Sequence, residues 1–495
     1  MELPDKEVCY RALQSRDARF DGLIYVGVTS TGIYCRPVCP ARTAKFENCL
    51  FFGSAAAAQE AGFRPCLRCR PETAPDLASW RGTSNTVSRA LALINDGALD
   101  GDASVEILAD RLGLGERQLR RLFRQHLGAS PIAVAQTRRV LFAKQLIHET
   151  RMPMTEIALA AGFGSLRRFN EVFQDLFHRP PSALRRKNSG SPTNTDAGVT
   201  LRLRYRPPYD WSSILAYLQA RAIPGVEVVE GEVYRRTVDI KGCTGTVEVS
   251  HLPQRQSLSV TIRFPNVQSL PEIVTRVRRL FDLGADIDTI DAHLADDSLL
   301  APLVAGRPGL RAPGGWDGFE LAVRAVLGQQ ISVVAARRLA GQLVALHGKP
   351  ALATGHAELS HVFPTAERLA KEPIGLGMPV ARLSTLKALA EAFVADPNLF
   401  RPFGTIEEAI AKLRTINGIG EWTAQYIALR ALREMDAFPA TDIGLLRSAG
   451  KLDGRQLTSA ELLVRAEAWR PWRAYAAQHL WAAESTALST KKELL

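Results

Sequence analysis

The sequence predicts a multidomain fold. It begins with a small α+β domain and an all-α domain with two helix-turn-helix units, and continues as an α/β subdomain that leads into an all-α domain. At 495 residues the chain is too long for one hydrophobic core. Six of its seven cysteines fall within the first 69 residues, and the spacing of apolar residues changes several times along the chain. These observations predict three to five domains.

Composition and charge restrict the class of partner. Hydrophobic residues make up 46% of the chain, the formal net charge is +11 and the pI is about 9.5. This balance favours a polyanionic partner, without choosing between nucleic acid and an anionic membrane. The first 20 residues lack a signal peptide's apolar core and cleavage site, and no run of about 18 apolar residues occurs. We therefore expect a cytoplasmic protein with no membrane partner.

The first domain, residues 1–78, contains two close cysteine pairs, Cys35 with Cys39 and Cys66 with Cys69. This spacing suits tetrahedral Zn²⁺, although four buried free cysteines or a purely structural zinc site are alternatives. Four thiolates around Zn²⁺ leave a net charge of −2, so a ligand sulfur keeps nucleophilic character. Methylation of one sulfur removes a negative charge, and the domain then binds DNA phosphates more tightly.

The second domain, residues 84–187, carries an internal repeat. Each copy has a short Ala-rich helix, a Gly-containing turn and an Arg-rich second helix, which is the pattern of a helix-turn-helix. The residues that recur fifty positions apart are Leu119 and Phe169, Phe123 and Phe173, and Pro131 and Pro181.

The second helices of the two copies, near 116–127 and 166–177, are expected to enter successive major grooves of duplex DNA. Residues 104–187 contain 15 Lys or Arg and 7 Asp or Glu. A solvated basic helix face is the alternative. The candidates for groove or phosphate contacts are Arg117, Arg120, Arg121, Arg167 and Arg168.

A linker is predicted at 188–199, because this stretch is rich in Ser, Thr, Asn and Gly and has no large apolar residue. The α/β subdomain follows at 200–300. Its predicted strands lie near 201–205, 226–236, 242–250 and 258–264, and its predicted helices at 210–221 and 267–281. Residues 301–495 are predicted to be helical almost throughout.

The strongest catalytic signal is the segment 413–442, LRTINGIGEWTAQYIALRALREMDAFPATD. Gly418 and Gly420 separate two helical patterns, so the backbone can approach a phosphate and the next helix can direct N–H groups at it. A lone Gly-x-Gly is more often an ordinary turn. Here Trp422, Tyr426 and Asp442 follow, which makes the pattern more specific.

Two stretches of the first domain, TGIYCRPVCPAR (31–42) and GFRPCLRCRP (62–71), resemble the N-terminal domain of the Ada alkylation-response regulators. The resemblance implies that Cys35, Cys39, Cys66 and Cys69 hold zinc. It also implies that Cys35 accepts a methyl group irreversibly from a DNA methylphosphotriester. The helical domain is similar to the AraC-type domain that follows in those regulators. Cys9 and Cys49 match no motif and are predicted to be packing residues. Cys243 has no partner within the glycosylase-like half.

The segment 413–442, together with RPGLRAPGGWDGFELAVRAVLGQQIS (307–332) and AWRPWRAYAAQHLW (468–481), resembles the helix-hairpin-helix glycosylases, most closely the AlkA family of 3-methyladenine glycosylases II. The likeness covers roughly residues 200–485. It implies that Asp442 is the catalytic carboxylate and that Gly418 and Gly420 belong to a phosphate-binding hairpin. The residues implied for the pocket of the flipped base are Trp422, Tyr426 and Trp481. A helix N-cap is the alternative for Asp442, and core packing for Trp481.

The chain also departs from these families. Trp422 stands where lyase-type relatives carry a lysine, and no C-terminal cysteine cluster for an iron–sulfur site is present, so a monofunctional glycosylase is expected. Asn417 replaces the usual hairpin proline, and Gln330 takes the place of an apolar wedge. The Pro-Cys-His-Arg signature of O6-methylguanine acceptors is absent. The Ada resemblance is therefore limited to the phosphotriester and regulatory half.

The sequence thus predicts a bifunctional protein of DNA alkylation repair. One half hydrolyses the N-glycosidic bond of alkylated bases such as 3-methyladenine. The other is a single-turnover methyl acceptor and transcriptional regulator, with promoter DNA and, if it activates, RNA polymerase as partners. One alternative is a DNA-binding regulator with a catalytically silent glycosylase-like half. Another is a glycosylase whose N-terminal half only anchors it to DNA through a structural zinc domain.

Overall fold

The computed structural model describes residues 3–75, 85–95, 97–100, 103–185, 198–351, 354–401 and 405–493. The chain forms two compact units. The first contains residues 1–206, 252–275 and 283–285, and the second contains residues 207–251, 276–282 and 286–495. Within the described residues, no helix is both long enough and apolar enough to cross a membrane.

The first unit begins with a four-stranded sheet in the order β3-β1-β2-β4. Strand β1 pairs antiparallel with both β2 and β3, whereas β2 and β4 run parallel. Cys9 and Cys49 are fully buried in this domain, which confirms them as packing residues. Its elements are α1 (Lys6–Ser15), β1 (Tyr25–Val28), β2 (Ile33–Cys35), β3 (Cys49–Phe52), α2 (Ala55–Glu60) and β4 (Arg64–Pro65).

Two helix-turn-helix units follow in the same unit. The second helix of each copy spans the residues that the sequence predicts, and the repeated Leu119, Phe123, Phe169 and Phe173 are all fully buried. Each second helix therefore packs through its apolar stripe and leaves its arginines on the outside. The helices are α3 (Asn85–Asn95), α4 (Val105–Asp110), α5 (Glu116–Leu127), α6 (Pro131–Glu149), α7 (Met154–Ala160) and α8 (Leu166–Phe177).

The predicted linker falls mostly outside the described residues, at 188–197. Strand β5 (Val199–Arg204) begins at the last residue assigned to the linker, and it pairs antiparallel with β9 (Ser257–Arg263). Helix α10 (Leu270–Leu280) follows a short 3-10 turn, so the helix predicted at 267–281 is present in two parts.

The second unit contains α9 (Trp211–Arg221) and three antiparallel strands, β6 (Glu227–Glu230), β7 (Val233–Ile240) and β8 (Cys243–Leu252). The expectation of a single strand at 226–236 was wrong. The chain turns at Gly231, whose φ of 56° lies in the left-handed region that glycine adopts readily. Cys243 is half-buried at the start of β8.

The rest of the second unit is helical, as predicted, apart from the two-residue strands β10 (Lys349–Pro350) and β11 (His361–Val362). The helices are α11 (Ile287–Leu294), α12 (Ala301–Gly306), α13 (Gly318–Leu327), α14 (Val333–His347), α15 (Ala366–Lys371), α16 (Val380–Ala395), α17 (Ile406–Arg414), α18 (Glu421–Ile427), α19 (Ile443–Asp453), α20 (Ser459–Ala466) and α21 (Arg473–Glu493). A π-helical turn, Ala428–Leu432, continues α18.

Candidate functional site

The four predicted cysteines lie together in the first unit. The Sγ atoms of these residues all lie within 4.8 Å of one another, and the residues are Cys35, Cys39, Cys66 and Cys69. Tetrahedral Zn²⁺ with Zn–S bonds near 2.3 Å needs sulfurs about 3.8 Å apart, so only a small contraction would bring them to ligand distance. The donor set fits zinc, and these four residues form the zinc site that the spacing predicts.

The four sulfurs are not equivalent. Backbone N–H groups point at two of them, from Arg68 to Cys66 Sγ and from Arg36 to Cys69 Sγ, each at 3.3 Å. Cys39, Cys66 and Cys69 are only 5–7% exposed, whereas Cys35 is partly exposed at the end of β2. N–H···S bonds withdraw charge from a thiolate. Cys35 accepts no such bond from the described residues, so its sulfur would keep more of its charge as a zinc-bound thiolate.

A buried ion pair attaches the zinc domain to helix α6. Lys144 Nζ donates to Glu72 Oε2 at 2.6 Å and to the carbonyl of Cys66, a zinc ligand, at 2.8 Å. Burial alone would raise the pKa of Glu72, but the charges of Lys144 and Arg70 lower it. Arg70 also bonds to Glu149 at the end of α6, with 2.9 Å between Nη2 and Oε1. The zinc domain and the helix-turn-helix domain therefore share a charged core.

All five arginines predicted to contact DNA are exposed on the second helices of the two repeats. Some of them pair with a glutamate of their own helix. Arg120 bonds to Glu116 at 2.5 Å and Arg167 to Glu171 at 2.8 Å, and both pairs lie at the surface. Arg117 and Arg121 lie on the exposed side of α5, and Arg168 on that of α8.

The second unit contains a cavity of about 790 Å³ between α9, α13, α14, α18 and α21. Trp422, Tyr426, Asp442 and Trp481 all line it, although up to 59 positions separate them in the sequence. The volume exceeds what a single nucleobase fills, and the walls combine aromatic rings with charged groups. Such a concave and mostly apolar site with few polar groups is typical of ligand pockets.

Asp442 is both the N-cap of α19 and a wall of this cavity. Its Oδ1 accepts a hydrogen bond from the backbone N–H of Leu445 at 3.0 Å, the usual capping contact. The indole of Trp481 donates to the same oxygen at 2.9 Å, and the indole of Trp422 donates to Oδ2 at 2.8 Å. The N-cap alternative is thus present together with the pocket position, and neither excludes the other.

The aromatic side chains form a compact group that packs against a buried arginine. Trp422 stacks on Tyr426 with centroids 5.4 Å apart and planes at 14°, and Trp481 meets Tyr426 edge-on at 6.2 Å. The guanidinium of Arg430, held on the π-helical turn, lies over the rings of Tyr426 and Trp481. Burial and the neighbouring Tyr217 raise the pKa of Tyr426 to about 12.

The hairpin glycines lie at the surface just before α18. Gly418 has a φ of 83°, and a Cβ on it would collide with the side chain of Thr385, so only glycine fits. Its carbonyl accepts a hydrogen bond from Gln329 Nε2 at 3.1 Å. Gly420 is the N-cap of α18, and space around it is open, so backbone N–H groups there are accessible.

Two other residues singled out in the sequence lie elsewhere. Asp436, the rival carboxylate, forms ion pairs with Arg470 and with Arg473, the latter at 2.8 Å, so it stabilises the loop before α21. Gln330 is exposed between α13 and α14, with a φ of 57°.

Sequence reasoning missed two residues that line the cavity, Tyr217 and Arg430, and Gly444 beside it. Tyr217, on α9, has its hydroxyl 3.4 Å from that of Tyr426, and its ring lies under Arg430. Burial alone would raise the pKa of Tyr217, but the charge of Arg430 lowers it. Gly444 borders Asp442 and Trp481. Only Arg430 gave a signal, since a charge inside the apolar run IALRAL is unusual for an ordinary helix.

Comparison with family models gives three matches along the chain. Residues 8–72 match the metal binding domain of Ada, residues 108–187 match a helix-turn-helix domain, and residues 200–317 match the AlkA N-terminal domain.

One relative matches nearly the whole chain, and two others match its C-terminal or N-terminal part. A probable bifunctional transcriptional activator/DNA repair enzyme AlkA from Mycobacterium tuberculosis is 42% identical over 96% of both chains. DNA-3-methyladenine glycosylase 2 from Escherichia coli is 35% identical over 57% of this chain and 96% of its own length. The bifunctional transcriptional activator/DNA repair enzyme Ada from Escherichia coli is 34% identical over 31% of this chain and 42% of its own length.

One solved structure carries the fold comparison. The 3-methyladenine DNA-glycosylase from Archaeoglobus fulgidus superimposes with a TM-score of 0.51 at 23% identity, over 57% of this chain and 98% of that one. The glycosylase-like part of the chain therefore has that fold.

Proposed function

The chain belongs to the family of bifunctional transcriptional activators and DNA repair enzymes. On that premise we propose that it excises alkylated bases such as 3-methyladenine from DNA and regulates transcription after it accepts a methyl group from DNA at Cys35. The observation that carries the excision is the Asp442 carboxylate in the wall of an aromatic cavity.

Base excision begins with the target nucleotide turned out of the duplex into the cavity. The cationic alkylated base stacks against Trp422, Tyr426 and Trp481, whose ring faces attract positive charge. The bond between C1′ and the base nitrogen then breaks, and its electron pair leaves with the base and neutralises it. The carboxylate of Asp442 stabilises the sugar oxocarbenium ion, to which a water adds at C1′ and loses a proton.

Strand cleavage is not part of this reaction, because Trp422 occupies the position from which a lysine would attack the sugar. The exposed backbone around Gly418 and Gly420 binds a phosphate of the damaged strand, since the N–H groups at the start of α18 carry partial positive charge. Gln330 fills the gap left by the flipped base as a polar wedge.

The test of excision is Asp442→Asn, which keeps the shape and removes the charge. Single-turnover release of 3-methyladenine should fall by about 10² or more. Binding to duplex DNA with an abasic-site mimic should persist, because the hairpin is unchanged. Asp436→Asn is the matched control and should stay active, since Asp436 pairs with arginines away from the cavity. Wild-type excision by Asp442→Asn would favour the alternative of a silent glycosylase-like half.

Methyl transfer is proposed at Cys35, the cysteine that the likeness to the metal binding domain of Ada implies as the methyl acceptor. Bound zinc keeps the four sulfurs deprotonated and reactive at neutral pH. Cys35 Sγ attacks the methyl carbon of a phosphotriester, the carbon–oxygen bond breaks, and its electron pair stays on the oxygen of the resulting phosphodiester. The thioether product does not regenerate, so each chain reacts once.

Methylation removes one negative charge at Cys35. The first unit, which carries the helix-turn-helix arginines, then binds DNA more tightly. We propose promoter DNA as the target, RNA polymerase as the partner of the activated form, and the cytoplasm as the location. We propose five segments for the chain. They are the zinc domain at 1–78, the helix-turn-helix domain at 84–187, the linker at 188–199, the α/β subdomain at 200–300 and the glycosylase domain at 301–495.

Mass spectrometry after incubation with DNA carrying methylphosphotriesters tests the transfer. One methyl group should appear, on Cys35, and the affinity of the full chain for duplex DNA should rise most at low salt. A Cys35→Ser variant should stay unmethylated. Methyl found on Cys39, Cys66 or Cys69 would contradict the assignment.

A further inference from the structure

Asp442 accepts three hydrogen bonds from the described residues, two of them from indoles. Trp481 and the backbone of Leu445 donate to Oδ1 at 2.9 and 3.0 Å, and Trp422 donates to Oδ2 at 2.8 Å. An indole has one polar hydrogen and no acceptor, so each tryptophan uses its whole polar capacity on this carboxylate.

The count of acceptor sites distinguishes the two oxygens. An ionised carboxylate offers about four lone-pair sites, two on each oxygen. Oδ1 has both of its sites filled by Leu445 and Trp481, whereas Oδ2 has one filled by Trp422. Among the described residues, one site on Oδ2 is therefore left for a group inside the cavity.

Packing fixes the two indoles independently of the carboxylate. Trp422 is held by its stack on Tyr426, and Trp481 by its edge-on contact with the same ring. Gly444 lies beside the Trp481 bond. A Cβ at position 444 would lie 3.1 Å from Asp442 Oδ1, a tight approach that the carboxylate would have to relieve by a small shift, and 3.4 Å from Trp481 Cδ1, an ordinary contact.

We propose that Trp422 and Trp481 are positioning residues, which orient the Asp442 carboxylate through their N–H groups and direct Oδ2 toward the sugar carbon and the attacking water. This inference rests on the proposed glycosylase function. A charge that is already fixed needs no reorganisation when the oxocarbenium ion forms, so orientation contributes to the rate of bond cleavage and little to DNA binding. The role is separate from the stacking of the two rings on the base.

The experiment removes each N–H while it keeps an aromatic ring of the same shape. The full-length protein is made with 3-benzothienylalanine at position 481 or 422, an isostere of tryptophan in which sulfur replaces the N–H. Single-turnover excision of 3-methyladenine should fall by about 10- to 100-fold in each, the loss typical of one hydrogen bond to a charged group. The Kd for duplex DNA with an abasic-site mimic should change less than about threefold.

Two further variants sharpen the test. Gly444→Ala should lower the excision rate without weakening that Kd, because the added Cβ presses on Asp442 Oδ1, the oxygen that Trp481 orients. Trp472→Phe is the matched control, since this half-buried tryptophan lies outside the cavity, and it should keep the wild-type rate.

The outcomes are separable from those of the proposed function. If the wild type does not excise alkylated bases, the proposed function fails. If the wild type excises, Asp442→Asn does not, and the benzothienyl proteins match the wild type, then the function stands and the positioning role is overturned. Equal losses of the excision rate and of affinity for duplex DNA that carries a non-cleavable analogue of the alkylated nucleotide would assign the two rings to stacking alone and would also overturn it.

Discussion

The buried pair between Lys144 and Glu72 allows a quantitative prediction about the first unit. The Lys144 side chain is 0% exposed and that of Glu72 is 1% exposed. Lys144→Met keeps the chain length and apolar volume but removes the ammonium group. Glu72 then remains buried with Arg70, at 3.1 Å, as its close cationic partner, and the carbonyl of Cys66 loses its donor.

Removing one partner of a buried ion pair destabilises a protein by about 3–5 kcal/mol. Because Arg70 still compensates part of the charge of Glu72, we expect the lower end, about 3 kcal/mol. This corresponds to an increase of about 150-fold in the population of the opened state. The opening should also accelerate the loss of zinc to a chelator, because Cys66 is a zinc ligand.

Native-state hydrogen exchange of the full chain, resolved by mass spectrometry, measures this opening locally. Peptides from 62–75 and from α6 should exchange faster by that factor. Arg120→Ala is the control, because its pair with Glu116 has side chains 44% and 41% exposed, and its loss should change exchange by about twofold. Exchange in Lys144→Met within a factor of two of the wild type would refute the reasoning.

Three other predictions follow from single sites. Cys66→Ser should lose the one Zn²⁺ that the wild type carries, as metal analysis of the purified protein will measure, and full retention of zinc would contradict the ligand set. Gly418→Ala should weaken binding to DNA with an abasic-site mimic by about tenfold or more, since the strained φ and the contact with Thr385 displace the hairpin; unchanged affinity would mean that the hairpin does not bind the strand. Burial raises the pKa of Asp291 to about 6 from an ordinary 3.8, so the contribution of this group to the stability of the second unit is fully present below pH 3.8 and is lost as pH rises through 6. Asp291→Asn should therefore raise the free energy of unfolding at pH 8 by roughly 1–2 kcal/mol and leave it nearly unchanged at pH 4, as urea denaturation can test.

Much of the fold and of the zinc site could be predicted because the signals are local. Two cysteine pairs, with three and two intervening residues, define a tetrahedral site whatever the rest of the chain does. The helices at 116–127 and 166–177 follow from an apolar period of 3.6 and a preceding turn, and they were predicted to the residue. The prediction of a single strand at 226–236 was wrong. One glycine turn within an extended run does not interrupt the residue pattern from which a strand is predicted.

The sequence by itself determined the chemical groups of this protein: four thiolates, a basic pair of helix-turn-helix units, a glycine hairpin and Asp442. Only the tertiary structure decided how these groups act. It places the indoles of Trp422 and Trp481 on the two oxygens of Asp442, sets Arg430 against the aromatic rings, and directs backbone N–H groups at the sulfurs of Cys66 and Cys69. The physical reason is distance along the chain. Hydrogen bonds between residues 20 to 39 positions apart depend on the packing of α18, α19 and α21, and such packing leaves no periodic signal in the sequence.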